Sequence, residues 1–175
     1  SDVRIHIDNK QVAISDIYGH FALSHLDYGE TYTLSFIKEN YESVKIDLSY
    51  LNHTQVIYVH MFSAKELLAK AEDKVKQKDY NEALALLERS SNTGGNFLSI
   101  NYLTSVIYYI KKDHEKALKI AQEILNLGYK DFYVYLLLAD IYEYGLNDIE
   151  KAQEYLKTAL SISYDPVIQK RIINE

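Results

Sequence analysis

The 175-residue sequence contains no cysteine. That removes disulfides, thiolate metal ligands and cysteine nucleophiles, and it fits a reducing or an oxidising compartment equally. Tryptophan is absent, and there is one methionine and one proline, Pro166. Positive charge is not in excess: the formal net charge is −6. A phosphate-binding surface needs a basic footprint, so neither nucleic acid nor an anionic membrane surface is expected as a partner. Long apolar runs are missing too. The most apolar stretch, 97–110, is interrupted by Ser99, Asn101, Thr104 and Ser105. It falls short of the ~20 residues a helix needs to cross a bilayer, so no direct membrane insertion is expected. No signal peptide is recognisable; the sequence opens on a strand-like run and reads as a fragment or a processed protein.

Catalytic and metal motifs are equally sparse. There is no nucleophile elbow, phosphate loop or His-Glu-x-x-His pattern. Thr93-Gly94-Gly95-Asn96 is glycine-rich, but it carries no lysine and falls between helical segments. The histidines are His6, His20, His25, His53, His60 and His114. No spacing among them matches a zinc motif, and strand alternation points His6 and His60 outward. The expectation is therefore no catalytic residue, no metal site and no cofactor, with the histidines solvent-exposed.

What is present is an ordinary globular composition, 47% apolar and 25% charged. Tyrosine is the exception, at 17 residues. A ring with a hydroxyl suits half-buried positions and grooves, or a core that uses Tyr in place of Phe and Trp.

Residues 3–62 read at period two. Val3, Ile5 and Ile7 alternate with Arg4 and His6, a turn is expected at Asn9-Lys10, and Val12 to Ile14 follows. Phe21 with Leu23, Thr31 to Phe36, Val44 to Leu48 and Val56 to Met61 complete six short strands, a spacing that suggests a small β-sandwich. From Ser63 the period becomes helical. Ser63 is a good N-cap and Glu66 can complete a capping box. Helices are expected from Ser63 to Lys76, 82–89, 98–111, 115–127, 132–144, 149–163 and, after Pro166, 167–173. Ser90 to Asn96 is expected as a loop.

The helical half repeats itself. Asp79-Tyr80-Asn81-Glu82-Ala83, Asp113-His114-Glu115-Lys116-Ala117 and Asp148-Ile149-Glu150-Lys151-Ala152 recur at spacings of 34 and 35 residues. Such a period is the mark of a stacked helical array. The third repeat carries one extra residue near 145–149.

Two resemblances follow from these residues. The pattern Asp16-Ile17-Tyr18-Gly19-His20-Phe21-Ala22-Leu23, then Leu26-Asp27-Tyr28-Gly29-Glu30-Thr31-Tyr32-Thr33-Leu34, then Tyr41 and Val44 to Leu48, resembles the carboxypeptidase-regulatory-like (transthyretin-like) sandwich. It departs at Asn40, where that family often has glycine. The helical half resembles the tetratricopeptide repeat. Its small positions fall at Ala71, Ser105 and Ala139 in the first helices, and at Ala83, Ala117 and Ala152 in the second. Leu87, Ala121 and Leu156 follow, then Ser90, Ile124 and Ala159; the aromatic position is Tyr108 and Tyr142, with Lys74 in the first repeat.

The resemblances imply a multidomain α+β chain: a small N-terminal β-sandwich, 1–62, followed by an all-α superhelix of three helix hairpins plus a terminal helix, 63–175. The junction at 61–64 has no Gly/Pro linker, so one rigid rod is expected. They imply a concave partner-binding groove lined by Lys65, Leu68, Glu72 and Lys76, by Ser99, Tyr102, Val106 and Tyr109, and by Tyr133, Leu136, Asp140 and Tyr144. The alternative is that these rings pack on the neighbouring repeat or the terminal helix. Leu68, Glu72, Tyr102 and Val106 stand where carboxylate-clamping relatives carry Lys and Asn, which argues against a chaperone-tail clamp.

The function implied is a non-enzymatic protein-interaction scaffold in a bacterial envelope assembly, extracytoplasmic and periplasmic, such as a flagellar-motor collar. Ile-, Lys-, Asn- and Tyr-rich usage fits a low-GC source. A glycan- or peptidoglycan-binding module on a helical stalk, with Tyr18, Tyr28 and Tyr50 on the sandwich, and the regulatory fragment of a larger enzyme both stay open. The sequence does not set the oligomeric state.

Overall fold

The computed structural model describes residues 1–173; positions 174 and 175, the end of the expected helical half, lie outside the described residues. The chain divides into two units, one of residues 1–67 with 89–95, the other of 68–88 with the residues from 96 onward.

The first unit is built on one antiparallel sheet of β1 (Arg4–Ile7), β2 (Lys10–Ile14), β3 (Thr31–Ile37) and β4 (Val44–Ser49), in the order β2-β1-β3-β4. Register places Ile5 opposite Phe36, and Tyr32 opposite Leu48. Period-two alternation then turns Ile5, Leu34, Phe36 and Leu48 to one face, where they form the buried core. The β1–β2 turn falls one residue earlier than expected. Asp8 and Asn9 both take left-handed φ, at 48° and 65°, the geometry of a two-residue hairpin that Asp and Asn tolerate best.

Four strands form among the described residues where six were expected. Segments 20–23 and 56–61 are not strands. Their alternation is real: Phe21 and Leu23, and Ile57, Val59 and Met61, pack on the sheet core while Ala22, Val56 and Tyr58 face out. What they lack is a ladder. Among the described residues, no main-chain group of 21–26 or 56–61 bonds another main-chain group. Hydrophobic alternation decides which way a side chain points, but only a neighbouring chain makes a strand.

The helices are α1 (Ala64–Lys76), α2 (Tyr80–Asn92), α3 (Phe97–Ile110), α4 (His114–Asn126), α5 (Phe132–Asp140), α6 (Ile149–Ile162) and α7 (Pro166–Ile173). The capping box forms at α1. Ser63 Oγ accepts from the Glu66 amide at 3.2 Å, and the Glu66 carboxylate accepts from the Ser63 amide at 2.8 Å. Helix α2 runs past the expected stop at Arg89, because its true stop is Gly94. That glycine takes φ +84°, and the Gly95 amide closes back on the Ser90 carbonyl at 2.8 Å. In the first unit, Ser90 Oγ donates to the Ala64 carbonyl at 2.8 Å, and Arg89 grips Glu42 through two bonds of 2.8 and 2.7 Å.

In the second unit α3 packs on α4, α5 on α6, α4 on α5 and α6 on α7. The repeated residues serve one local design. Asp79, Asp113 and Asp148 cap α2, α4 and α6, accepting from the amides of Glu82, Lys116 and Lys151 at 3.3, 3.3 and 3.1 Å. The residue before each cap, Lys78, Lys112 and Asn147, takes a left-handed φ of 63°, 62° and 56°. Every small position read from the repeat is buried: Ala71, Ser105 and Ala139, then Ala83, Ala117 and Ala152. Small side chains there let paired helices approach closely. Buried Ser105 satisfies its hydroxyl by donating to the Ala117 carbonyl at 2.7 Å.

The extra residue of the third repeat has a structural address. Helix α5 passes into a π-helical turn, Ile141–Gly145, and the Leu146 amide reaches back five residues to the Ile141 carbonyl at 2.9 Å. A π turn absorbs one inserted residue without breaking the helix. It ends the regular α5 short of the expected Tyr144.

Candidate functional site: a tyrosine and carboxylate face on the second and third hairpins

Three elements build this face. Helix α3 supplies Tyr102, Val106 and Tyr109 at helical spacing, packed partly against Ala117, Leu137 and Ile141. Helix α5 supplies Tyr133 and Asp140, and its start is fixed by Asp131, which accepts from the Tyr133 and Val134 amides at 2.9 and 3.2 Å. The π turn supplies Glu143 and Tyr144. Tyr102 and Tyr109 are half-buried, whereas Tyr133 and Tyr144 are 61% and 65% exposed.

The intramolecular alternative is thus true of part of the set. Tyr102, Val106 and Tyr109 each bury one side on the neighbouring repeat, and Leu136 packs in the cluster of Ala139, Leu156 and Ile168 that holds α7. Ser99 lies in the first turn of α3, where its amide is capped by Asn96.

A residue that the sequence reading did not single out closes the site. Arg171 of α7 donates through Nη2 to Asp140 at 2.8 Å and to Glu143 at 2.5 Å. Its guanidinium also lies 5.8 Å from the Tyr144 ring centre. Burial works against the Arg171 charge, but the bonds to Glu143 and Asp140 outweigh it and raise its pKa. Burial pushes the Glu143 carboxyl up, yet hydrogen bonds from Tyr144 and Arg171 prevail and hold it below the ordinary range. The phenols move the other way. Burial first, then Asp131, Tyr133 and Asp140, raises Tyr102; burial first, then Asp140, raises Tyr109; the bond to Glu143 raises Tyr144. All three therefore stay protonated donors at neutral pH. The face offers phenolic donors, ring surface and carboxylates, with one guanidinium in place. That chemistry is of a kind that can engage a polypeptide segment. The extra residue flags the turn that carries Glu143, whereas nothing local in the sequence flags Arg171.

Lys65, Glu72 and Lys76 lie on α1 and are exposed. Lys65 belongs to the first unit. Lys76 pairs with Asp73 on its own helix at 2.8 Å, and no hydrogen bond or ion pair among the described residues ties Glu72 or Lys76 to the tyrosines.

The histidines correct the sequence reading in two places. His20, His25, His53 and His60 are exposed, but His6 and His114 are half-buried, each with an enclosed Nδ1 that has no hydrogen-bond partner among the described residues. A register irregularity between Ile5 and His6 alters the strand there. His114 is held between the Tyr109 ring, 5.6 Å away, and Gly145. No group of three metal-ligating side chains occurs among the described residues. None of the described helices is long and apolar enough to cross a membrane.

The arrangement is that of stacked helix hairpins with a repeat near 34 residues. A tetratricopeptide-repeat family model matches residues 132–166, the third hairpin and its exit. Among solved structures, the N-terminal domain of stress-induced protein-1 from C. elegans is similar with a TM-score of 0.54 and 16% identity, over 63% of this chain and 92% of that one. The C-terminal TPR-containing domain of a putative FK506-binding protein from Plasmodium falciparum gives 0.53 and 18%, over 63% and 84%. At these identities the likeness is one of fold. A search of curated proteins gave no match.

Proposed function

We propose that the chain is a non-enzymatic scaffold that docks a polypeptide segment of a partner on the α3–α5 face. The observation that carries this is the pairing of exposed Tyr133 and Tyr144 with half-buried, protonated Tyr102 and Tyr109 beside Asp140 and Glu143. Anchored rings with hydroxyl handles are frequent binding hot spots. The carboxylates favour a segment that carries a basic side chain, the role Arg171 fills from within the chain. A terminal-carboxylate clamp would need cations where Tyr102 and Val106 stand.

We place the scaffold in a bacterial envelope assembly on the periplasmic side, with a flagellar-motor collar as the assembly type that best suits a sheet module joined to helical repeats. Support comes from the Asp16-to-Leu48 pattern of a carboxypeptidase-regulatory-like module, and from residues 20–23 and 56–61 covering its sheet at period two. The test is capture from native envelopes by the wild-type chain and by Tyr133→Ala/Tyr144→Ala, two exposed positions whose loss leaves the fold intact by circular dichroism. A partner lost with both rings supports the reading; a partner set that is the same with and without them refutes it.

A further inference from the structure

The first unit holds a cavity of about 740 Å³. Its floor is the apolar sheet face, Val3, Phe36 and Leu48, and its walls include 18–23 and 55–59. These walls are the two extended segments without a ladder. Within them, the main-chain groups of 21–23 and 56–59 bond no other main chain among the described residues, although their side chains alternate as strands do; Gly19, His20 and Gln55 are held by turn bonds to Asp16 and Asn52. Ile17 and Tyr18, and Val56 and Tyr58, stand exposed beside them, at 77% for the first pair and 69% and 95% for the second. Two extended segments whose N–H and C=O groups lack main-chain partners, lining a cavity with an apolar floor, suit another extended chain, which can pair with such groups in register.

We propose that this cavity receives a β-strand donated by a partner polypeptide, with alternate apolar side chains seated on Val3, Phe36 and Leu48. Volume sets its length. A residue in a packed strand fills about 160 Å³, from a rise of ~3.3 Å, a strand spacing of ~4.8 Å and a layer spacing of ~10 Å. The cavity therefore takes about five residues. The strand completes a second layer over the sheet, turning 20–23 and 56–61 into true strands. This site is separate from the tyrosine face and does not depend on it.

The test is amide hydrogen exchange on the full chain by NMR. The probe is a heptapeptide alternating valine and threonine between terminal lysines. Its control has proline in place of each threonine, which removes donors but not bulk. In the free chain, amides of 56–61 exchange near the unprotected rate. With the peptide, alternate amides within 21–23 and 56–61 slow by about ten-fold or more, as one edge of a strand becomes paired. The proline peptide leaves them unchanged. Protection already present in the free chain overturns the proposal, as does its absence at millimolar peptide. Shifts of Tyr18, Tyr50 and Tyr58 by a chitin oligosaccharide, with the amides still unprotected, assign the cavity to sugar and overturn it too.

Discussion

Gly145 closes the π turn with its Cα against the His114 ring. A methyl group added there would lie 2.7 Å from His114 Nδ1 and 2.8 Å from Cγ. Gly145 is not among the positive-φ glycines, so the demand is for space and not for a special dihedral. The obstructing atoms are close to the ring's attachment, and the ring is confined by Tyr109. Gly145→Ala must therefore displace the ring, an overpacking cost of about 1–3 kcal/mol. Against it runs the gain of replacing a helical glycine, about 0.5–1 kcal/mol. The net expectation is a loss of up to about 2.5 kcal/mol. In a His114→Ala background the obstruction is gone, and the same substitution stabilises by about 0.5–1 kcal/mol. The double-mutant cycle thus gives a coupling of about 1–3 kcal/mol. Urea unfolding followed at 222 nm measures all four chains. Equal effects in the two backgrounds would mean that the ring swings aside freely and that close approach does not constrain position 145.

Three further outcomes follow from the geometry. Glu143 has a lowered pKa in the folded chain, so its stabilisation is full above the ordinary glutamate value of about 4.3 and is lost as pH falls through the lowered value. NMR across that range should show α7 loosening from the π turn before the α3–α4 hairpin changes, and Glu143→Gln should flatten the dependence. Arg171→Met removes two ionic bonds among side chains 20–34% exposed, between the surface and buried limits, and should cost about 1–3 kcal/mol, read from urea unfolding. Ser63→Ala deletes half of the capping box and should cost about 1 kcal/mol, with faster exchange confined to the first turn of α1.

The sequence by itself determined whatever depends on near neighbours. Helix starts were legible because Ser63, Asp113 and Asp148 cap amides three residues away. The hairpin interiors were legible because Ala83, Ala117 and Ala152 recur at a fixed period and small side chains have one use there. The inward faces of 20–23 and 56–61 were legible because alternation is local. Only the tertiary structure decided what depends on a partner from elsewhere in the chain. Whether an extended segment becomes a strand rests on a neighbouring ladder, and those two segments have none. The extra residue was visible, but its absorption as a π turn, and so the placement of Glu143 and Tyr144, was not. Arg171 read as an ordinary cation on a short helix. It became part of the candidate site because packing of Ile168 beside Ala139 and Leu156 brings its guanidinium to two carboxylates some thirty residues earlier. An ion pair formed across such a separation leaves no periodic trace in sequence, since only the fold brings its members together.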